Sequence, residues 1–342
     1  MRYKLLGKSG LRVSELALGT MTFGEDWGWG ASKDESRKIF DAFVQAGGNF
    51  IDTACNYTEG TSEKFVGEFI ASDRDYFVVA TKYSLQPNGA NQRDPNAGGN
   101  SRKNMIRSLE GSLKRLNTDY VDLLYLHMWD YTTPLEEVMR GMDDLVRAGK
   151  VRYIGFSDTP AYIIARANAL AECRGLSRVI AVQLPYSLFR RDPERELLPM
   201  AREEDLAVTA WGMLGAGVLT GKFRDPGATT RYESAGEAWL NAGDRVKTIA
   251  GEIGHTPAQV AINWVRQGQD KAQIIPILGA RTLKQMEENL GVLDFELSPE
   301  EAEVIDAISD FTLGFPRSFL HDDEVLELLH GETYPLLDNH RK

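Results

Sequence analysis

The run Val121-Asp122-Leu123-Leu124-Tyr125-Leu126-His127 is apolar at nearly every position and ends on a histidine. A strand with one wet face alternates apolar and polar residues. This one does not, so it reads as a strand buried on both faces, the mark of a parallel sheet. Seven further runs share its character, at residues 16–19, 50–54, 77–82, 151–157, 179–184, 207–212 and 273–278. Helical patterns separate them. In residues 101–116 the apolar Met105, Ile106, Leu109, Leu113 and Leu116 fall at helical spacing. The next helix is expected to open at Thr133-Pro134-Leu135-Glu136-Glu137, with Thr133 as cap and Pro134 in the first turn, and to stop at Ala148-Gly149. Eight strands alternating with helices in 342 residues predict an α/β fold, a closed (β/α)8 TIM barrel. A doubly wound sheet is the rival that periodicity alone leaves open.

Around this repeat lie an N-terminal β-hairpin, expected at residues 3–6 and near Val13, and four stretches outside the pattern. They are residues 22–32, 84–100, 223–242 and a C-terminal extension at 311–342. No shift of composition divides the chain, so residues 1–342 are expected to form a single domain. With 42% hydrophobic and 26% charged residues the chain suits a globular protein with a sizeable core. A net charge of −11 argues against nucleic acid and anionic membrane surfaces as partners. No leader and no long apolar run stand in the sequence, and two cysteines make no disulfide framework. A cytoplasmic location follows as the expectation. Five histidines show no ligand spacing, so no metal is expected. Asn56-Tyr57-Thr58 spells a glycosylation acceptor that, without a secretory signal, is read as chance. Monomer and homo-oligomer stay equally open.

Three successive units bring chemistry to the strand ends, where barrel active sites form. Asp52 ends one strand, Lys82 the next, and His127 the third, while Tyr57 follows in the first loop. Each has an ordinary explanation alone: a helix cap, a snorkelling lysine, a half-buried histidine, a loop aromatic. Together they handle a proton beside a carbonyl. A tyrosine ionises near pH 10, and a neighbouring ammonium favours its phenolate, so Lys82 is expected to bring the Tyr57 pKa down toward neutral. Asp52 would keep Lys82 charged, and His127 would orient a substrate oxygen. No nucleophile accompanies them, which points to a hydride from a bound cofactor.

In these residues the chain resembles the aldo-keto reductase superfamily, in its potassium-channel β-subunit and aryl-alcohol-dehydrogenase-like branch. The likeness runs from Gly19-Thr20-Met21-Thr22-Phe23-Gly24 to Glu288-Asn289. The Asp52-Thr53-Ala54…Tyr57, Ala80-Thr81-Lys82 and Leu126-His127 elements match the family's tetrad in order. The resemblance implies an oxidoreductase that reduces aldehydes or ketones to alcohols, with Tyr57 as general acid. It also implies a cofactor site made of Gly19, Thr20, Met21 and Asp52 on the early strands and Ser157, Asp158 and Gln183 at the carboxamide. Trp211 would stack on the nicotinamide, and Gly212, Met213, Leu214, Gly215, Gly217 and Lys222 would fold over the pyrophosphate. Gly279, Arg281, Gln285, Glu288 and Asn289 would hold the adenosine end. Arg281 matches the geometry of a 2′-phosphate, which favours NADPH/NADP+ over NADH.

The chain departs from the family's pattern at Asp158, where many relatives carry Asn, and at Met213, where Pro is common. Trp27 and Trp29, with Tyr57 and His127, are the candidate substrate residues, the partner being a small-molecule carbonyl compound. Cys55 is expected to be a small buried filler. Val325, Leu326, Leu328 and Leu329 in the extension fall at helical spacing and would either cover the site or pin the terminus. Other readings stay on the page: a cofactor-binding regulatory subunit of the potassium-channel β type, or an aldolase using Lys82 as a Schiff base. A Rossmann dehydrogenase is disfavoured, because Gly215, Gly217 and Gly221 miss the fingerprint spacing and come late in the chain.

Overall fold

The computed structural model describes residues 1–86, 93–224, 236–309 and 311–338. The parts of the 84–100 and 223–242 stretches that fall at 87–92 and 225–235, and the last four residues, lie outside the described residues. A hairpin of β1 (Tyr3–Leu5) and β2 (Arg12–Ser14) opens the chain. Eight parallel strands then close on themselves: β3 (Ala17–Gly19), β4 (Phe50–Asp52), β5 (Val78–Tyr83), β6 (Val121–Leu126), β7 (Val151–Ser157), β8 (Val179–Pro185), β9 (Ala207–Trp211) and β10 (Gln273–Gly279). They pair in sequence order, with β10 returning to β3. The barrel, not the doubly wound sheet, is the fold.

Helices fill the crossovers: α1 (Lys33–Gln45), α2 (Thr61–Ile70), α3 (Arg102–Leu116), α4 (Leu135–Arg147), α5 (Ala161–Arg174) and α6 (Leu197–Glu203). After β9 come α7 (Glu237–Glu252) and α8 (Pro257–Gln267), and after β10 α9 (Leu283–Leu290) and α10 (Pro299–Asp306). The C-terminal extension adds α11 (Arg317–Leu320) and α12 (Asp323–His330). In α3 four of the five expected apolar residues are buried. Ile106 is exposed, because it lies about 100° round the helix from Met105. The start of α4 differs from expectation too. Pro134 occupies the cap position, and Thr133 turns its N–H and hydroxyl to the Asp130 carboxylate instead of capping. In the extension Leu328 and Leu329 are exposed, while Val325 and Leu326 of the same helix are half-buried. Among the described residues no helix is long and apolar enough to cross a membrane.

Two-residue alternation along the strands creates two cores. Ile51, Val79, Leu124, Leu126 and Val182 point outward against the helices, while Phe50, Val78, Ala80, Leu123, Ala181 and Ala207 fill the barrel. The hairpin closes the bottom with Leu6 and Val13. Its Gly7, at φ +51, passes so close that an added Cβ would sit 2.1 Å from the Ile180 carbonyl oxygen. The open end is therefore the one where the strands finish, and there the inward positions turn polar.

One charged contact ties the helix layer to β5. Glu63 on α2 is fully buried and accepts from Arg115 Nε of α3 at 2.6 Å and from the Thr81 hydroxyl at 2.6 Å. Arg115→Met should strand that carboxylate and cost about 3–5 kcal/mol, read as a lowered urea midpoint. An unchanged midpoint would contradict this assignment.

Candidate functional site

Inward alternation delivers Asp52 from β4 and Lys82 from β5 to one end of the barrel, with His127 one step past the end of β6. Tyr57 arrives from a turn in which Thr58 and Glu59 both take positive φ, +46 and +53. Thr58 is held there because its hydroxyl donates to the Phe23 carbonyl at 2.6 Å. The four side chains meet. Lys82 Nζ donates to Asp52 Oδ2 at 2.7 Å, to the Thr53 carbonyl at 2.8 Å and to the Tyr57 hydroxyl oxygen at 3.1 Å. The His127 ring stands edge-on to Tyr57 at 6.0 Å between centroids. Asp52 accepts from side chains on two other strands and from no helix N–H, so it is not a cap.

An ammonium has three N–H donors, and Lys82 uses all of them. Tyr57 therefore accepts from Lys82, which leaves its own O–H to point elsewhere, into the open mouth. Burial raises the Tyr57 pKa more than the neighbouring Lys82 ammonium lowers it. The expected drop toward neutral is thus corrected: a phenol nine-tenths buried resists ionising even beside a cation, because the anion has no water around it. Burial works against the Lys82 charge as well, but Asp52 and Tyr57 outweigh it and raise its pKa. His127 goes the other way, pushed down to about 3 by burial and by Lys82, so its imidazole is neutral. Cys55 is buried and its thiol is pushed up to about 12 by burial, which makes it the inert filler expected. An amine held protonated by three acceptors is a poor Schiff-base nucleophile, which weighs against the aldolase reading.

The remaining expected residues gather on the same rim with different degrees of freedom. Gln183 is buried and donates to Asp52 Oδ1 at 2.8 Å. Thr20 is fully buried, its hydroxyl engaged with Ser62 and the Asp52 carbonyl. Ser157 is buried beside Asp158, while Gly19 and Met21 are half-buried. Trp211, at the end of β9, is 37% exposed, and its indole N–H favours the ionised form of Asp158. Gly212 and Gly279 have nothing within 4 Å of where a Cβ would stand, so the backbone at both is open to a close neighbour. Gly215, Ala216 and Gly217 take positive φ in succession, and Met213 is buried beneath the turn, with Leu214 half-buried. The turn engages the Gly215 and Gly217 N–H groups on the Gly212 and Leu214 carbonyls. Open backbone at Gly212 and the exposed Lys222 are what it offers an anion.

At the other end, Asn289 and Gln285 turn inward to hold the 279–281 loop, donating to the Gly279 carbonyl at 3.2 Å and accepting from the Arg281 N–H at 2.8 Å. The Glu288 carbonyl accepts from Gln259, and Glu35 takes the Leu283 N–H of the α9 terminus. That leaves Arg281, which makes no ion pair among the described residues, as the group there suited to an anion. Trp27 and Trp29 pack at 5.6 Å, and the Trp27 indole donates to Glu59 beside Tyr57, so both stand near the mouth.

Sequence reasoning missed Gln183 as a support of Asp52. It missed the chain that continues through Thr209 to the Tyr125 hydroxyl, 3.4 and 2.9 Å. The signal was present: Tyr125, Gln183 and Thr209 are polar groups at inward positions of otherwise apolar strands.

The aldo/keto reductase family model matches residues 15–310. A norsolorinic acid reductase of Emericella nidulans is 39% identical over 323 residues, covering 92% of this chain and 83% of that protein. An aryl-alcohol dehydrogenase [NADP(+)] of Phanerodontia chrysosporium is 38% identical over 348 residues, covering 94% and 89%. A putative aryl-alcohol dehydrogenase of Saccharomyces cerevisiae is 34% identical over 348 residues, covering 94% and 90%.

Asp158 supplies a test of the site's electrostatics. Burial raises its pKa from 3.8 to about 6, against the pull of Lys82 and Trp211. A carboxyl with a raised folded-state pKa takes up its proton more readily when folded, so its contribution is full below about pH 4 and lost as pH rises through 6. Asp158→Asn should therefore gain about 1–2 kcal/mol at pH 8, discounted for its open edge, and nothing below about pH 4. Thermal unfolding across pH checks the sign.

Proposed function

The chain belongs to the aldo/keto reductase family, and on that premise we propose that it reduces the carbonyl of small aldehydes or ketones to an alcohol, with NADPH as cofactor. The observation that carries the reading is the Lys82–Tyr57 hydrogen bond inside the buried quartet. Because Tyr57 accepts from Lys82, its proton is aimed at the mouth, where a substrate oxygen would stand. Because its pKa is raised, the phenol is protonated at neutral pH, as a general acid must be before transfer. When the proton departs, negative charge is left on the phenol oxygen, and the adjacent ammonium stabilises that phenolate. Neutral His127 donates a hydrogen bond to the substrate oxygen without competing for the proton. Asp52, fixed from both sides by Lys82 and Gln183, keeps the ammonium charged and aimed.

The cofactor supplies the hydride. Trp211, Ser157 and Asp158 would hold its nicotinamide end, the 212–217 turn and Lys222 its pyrophosphate, and Arg281 the far end. The open backbone at Gly212 and Gly279 is compatible with such a ligand. A relative whose name carries NADP(+) supports the choice of cofactor, as does Arg281. A small aromatic aldehyde fits the Trp27–Trp29 pair, and the aryl-alcohol named in two of the relatives agrees with an aromatic substrate.

NADPH consumption with a panel of aromatic aldehydes, nitrobenzaldehydes among them, tests the reaction. Tyr57→Phe should lower kcat about 10²–10⁴-fold while the NADPH fluorescence titration stays as it was. Retained turnover would overturn the role given to Tyr57. Arg281→Met should weaken NADPH about tenfold and leave NADH binding unaltered, since only the former carries the 2′-phosphate. Equal loss for both cofactors would remove Arg281 from phosphate recognition.

A further inference from the structure

Beside the quartet lies a second set of polar atoms with no role in proton transfer. Asn56 Oδ1, Ser84 Oγ and His127 Nδ1 are all shielded from solvent, and none has a hydrogen-bond partner. Buried polar atoms are ordinarily paired, so three without partners on one rim need a reason. The backbone places them together. Tyr83 is in register with Leu126, and the His127 N–H donates to the Tyr83 carbonyl at 2.9 Å, so Ser84 and His127 follow side by side on adjacent strands. Cys55 donates its N–H to the Lys82 carbonyl at 3.2 Å and its thiol to the Leu85 carbonyl at 3.4 Å. That contact lays the Asn56 loop along the same edge.

Ser84 is held there under strain. Its φ is +108, a value few residues other than glycine adopt, and the Gly99 N–H fixes its carbonyl at 2.8 Å. Such strain in a non-glycine residue gathers at ligand clamps. Ser84 and His127 are both nine-tenths buried or more.

We propose that Asn56, Ser84 and His127 form a subsite for a hydroxyl group of the substrate, so that the carbonyl compounds bound best carry a hydroxyl on the skeleton near the carbonyl. The donor and acceptor balance carries this. Asn56 Oδ1 is an acceptor. His127 is neutral, and in the reaction proposed above it donates to the substrate oxygen; with Nδ1 shut off from solvent that donor is Nε2, which leaves Nδ1 an acceptor as well. Ser84 both donates and accepts. Two acceptors and one hydroxyl call for a group that donates first and accepts second, which an alcohol or phenol does. A carboxylate finds too few donors, and an ammonium is repelled by Lys82. The inference rests on the carbonyl-reduction reading for its ligand class, but not for its test.

Equilibrium binding separates the two. In the presence of NADP+, 2-, 3- and 4-hydroxybenzaldehyde are titrated against the matching methylbenzaldehydes, a methyl group being close to a hydroxyl in size. At least one hydroxy isomer should bind about tenfold more tightly than its methyl counterpart. That ratio should fall toward one in Ser84→Ala and in Asn56→Leu. A wild-type ratio near one for all three pairs means that no substrate hydroxyl reaches these atoms, and it overturns the proposal; so does a ratio that survives both substitutions. If a variant fails to fold, the wild-type series decides. Methylbenzaldehydes reduced with NADPH but no hydroxyl preference would sink the subsite and leave the reductase standing. A hydroxyl preference without turnover would do the reverse.

Discussion

A lysine ammonium with no exposed surface cannot stand in a barrel uncompensated. Removing such a charge from water is among the largest penalties a fold can carry, and it is tolerated only with a partner charge and satisfied donors. Lys82 meets both conditions through Asp52, the Thr53 carbonyl and Tyr57. Much of the rim follows from this. Asp52 must come within reach one strand away, and the β4–β5 register, which sets Asp52 against Ala80, leaves it two residues short of Lys82 on the same inward face. Its second oxygen needs a donor from across the barrel, and Gln183 on β8 reaches it. The Tyr57 turn must bring a hydroxyl oxygen to the third N–H, and Thr58 accepts a left-handed backbone to do so. The cation therefore organises strands, loop and proton direction at once.

The same low-dielectric setting sorts two of the three titrating groups, and ion pairing decides the third. Burial keeps Tyr57 protonated and His127 neutral, while Asp52 and Tyr57 hold Lys82 charged against it, a combination suited to carbonyl reduction at neutral pH. Asp158 is the exception on this rim, a carboxyl raised toward neutrality with the Trp211 indole against it. The lower barrel contributes by being apolar: Phe50, Val78, Leu123 and Ala207 fill it, and the hairpin seals it, so the polar layer opens in one direction only.

The architecture was largely legible because its signal is periodic. Eight apolar runs of strand length, spaced by helical patterns, have few solutions, and all eight runs became barrel strands. Asp52, Lys82 and His127 could be placed on one rim from alternation and strand ends alone. Local details were less legible where two groups compete for the same partner. Thr133 lost its capping role to Asp130, and Ile106 fell outside a face that a count of apolar residues had included. Gln285 and Asn289, expected at the adenosine end, also hold their own loop through Gln285 Oε1 and Asn289 Nδ2, contacts that spacing along the chain does not reveal.

What the sequence determined by itself is therefore the order of elements and the four residues Asp52, Tyr57, Lys82 and His127 that share one rim, since both are set by residue type and spacing along the chain. What only the tertiary structure decided is the state of those groups. An ammonium next to a phenol argued for a lowered tyrosine pKa; the depth of burial reversed the sign, and depth belongs to packing across strands. The direction of the Tyr57 proton, the support from Gln183 and the unpartnered atoms of Asn56, Ser84 and His127 have the same origin. Each depends on distances between residues far apart in sequence, and those distances exist only once the barrel has closed.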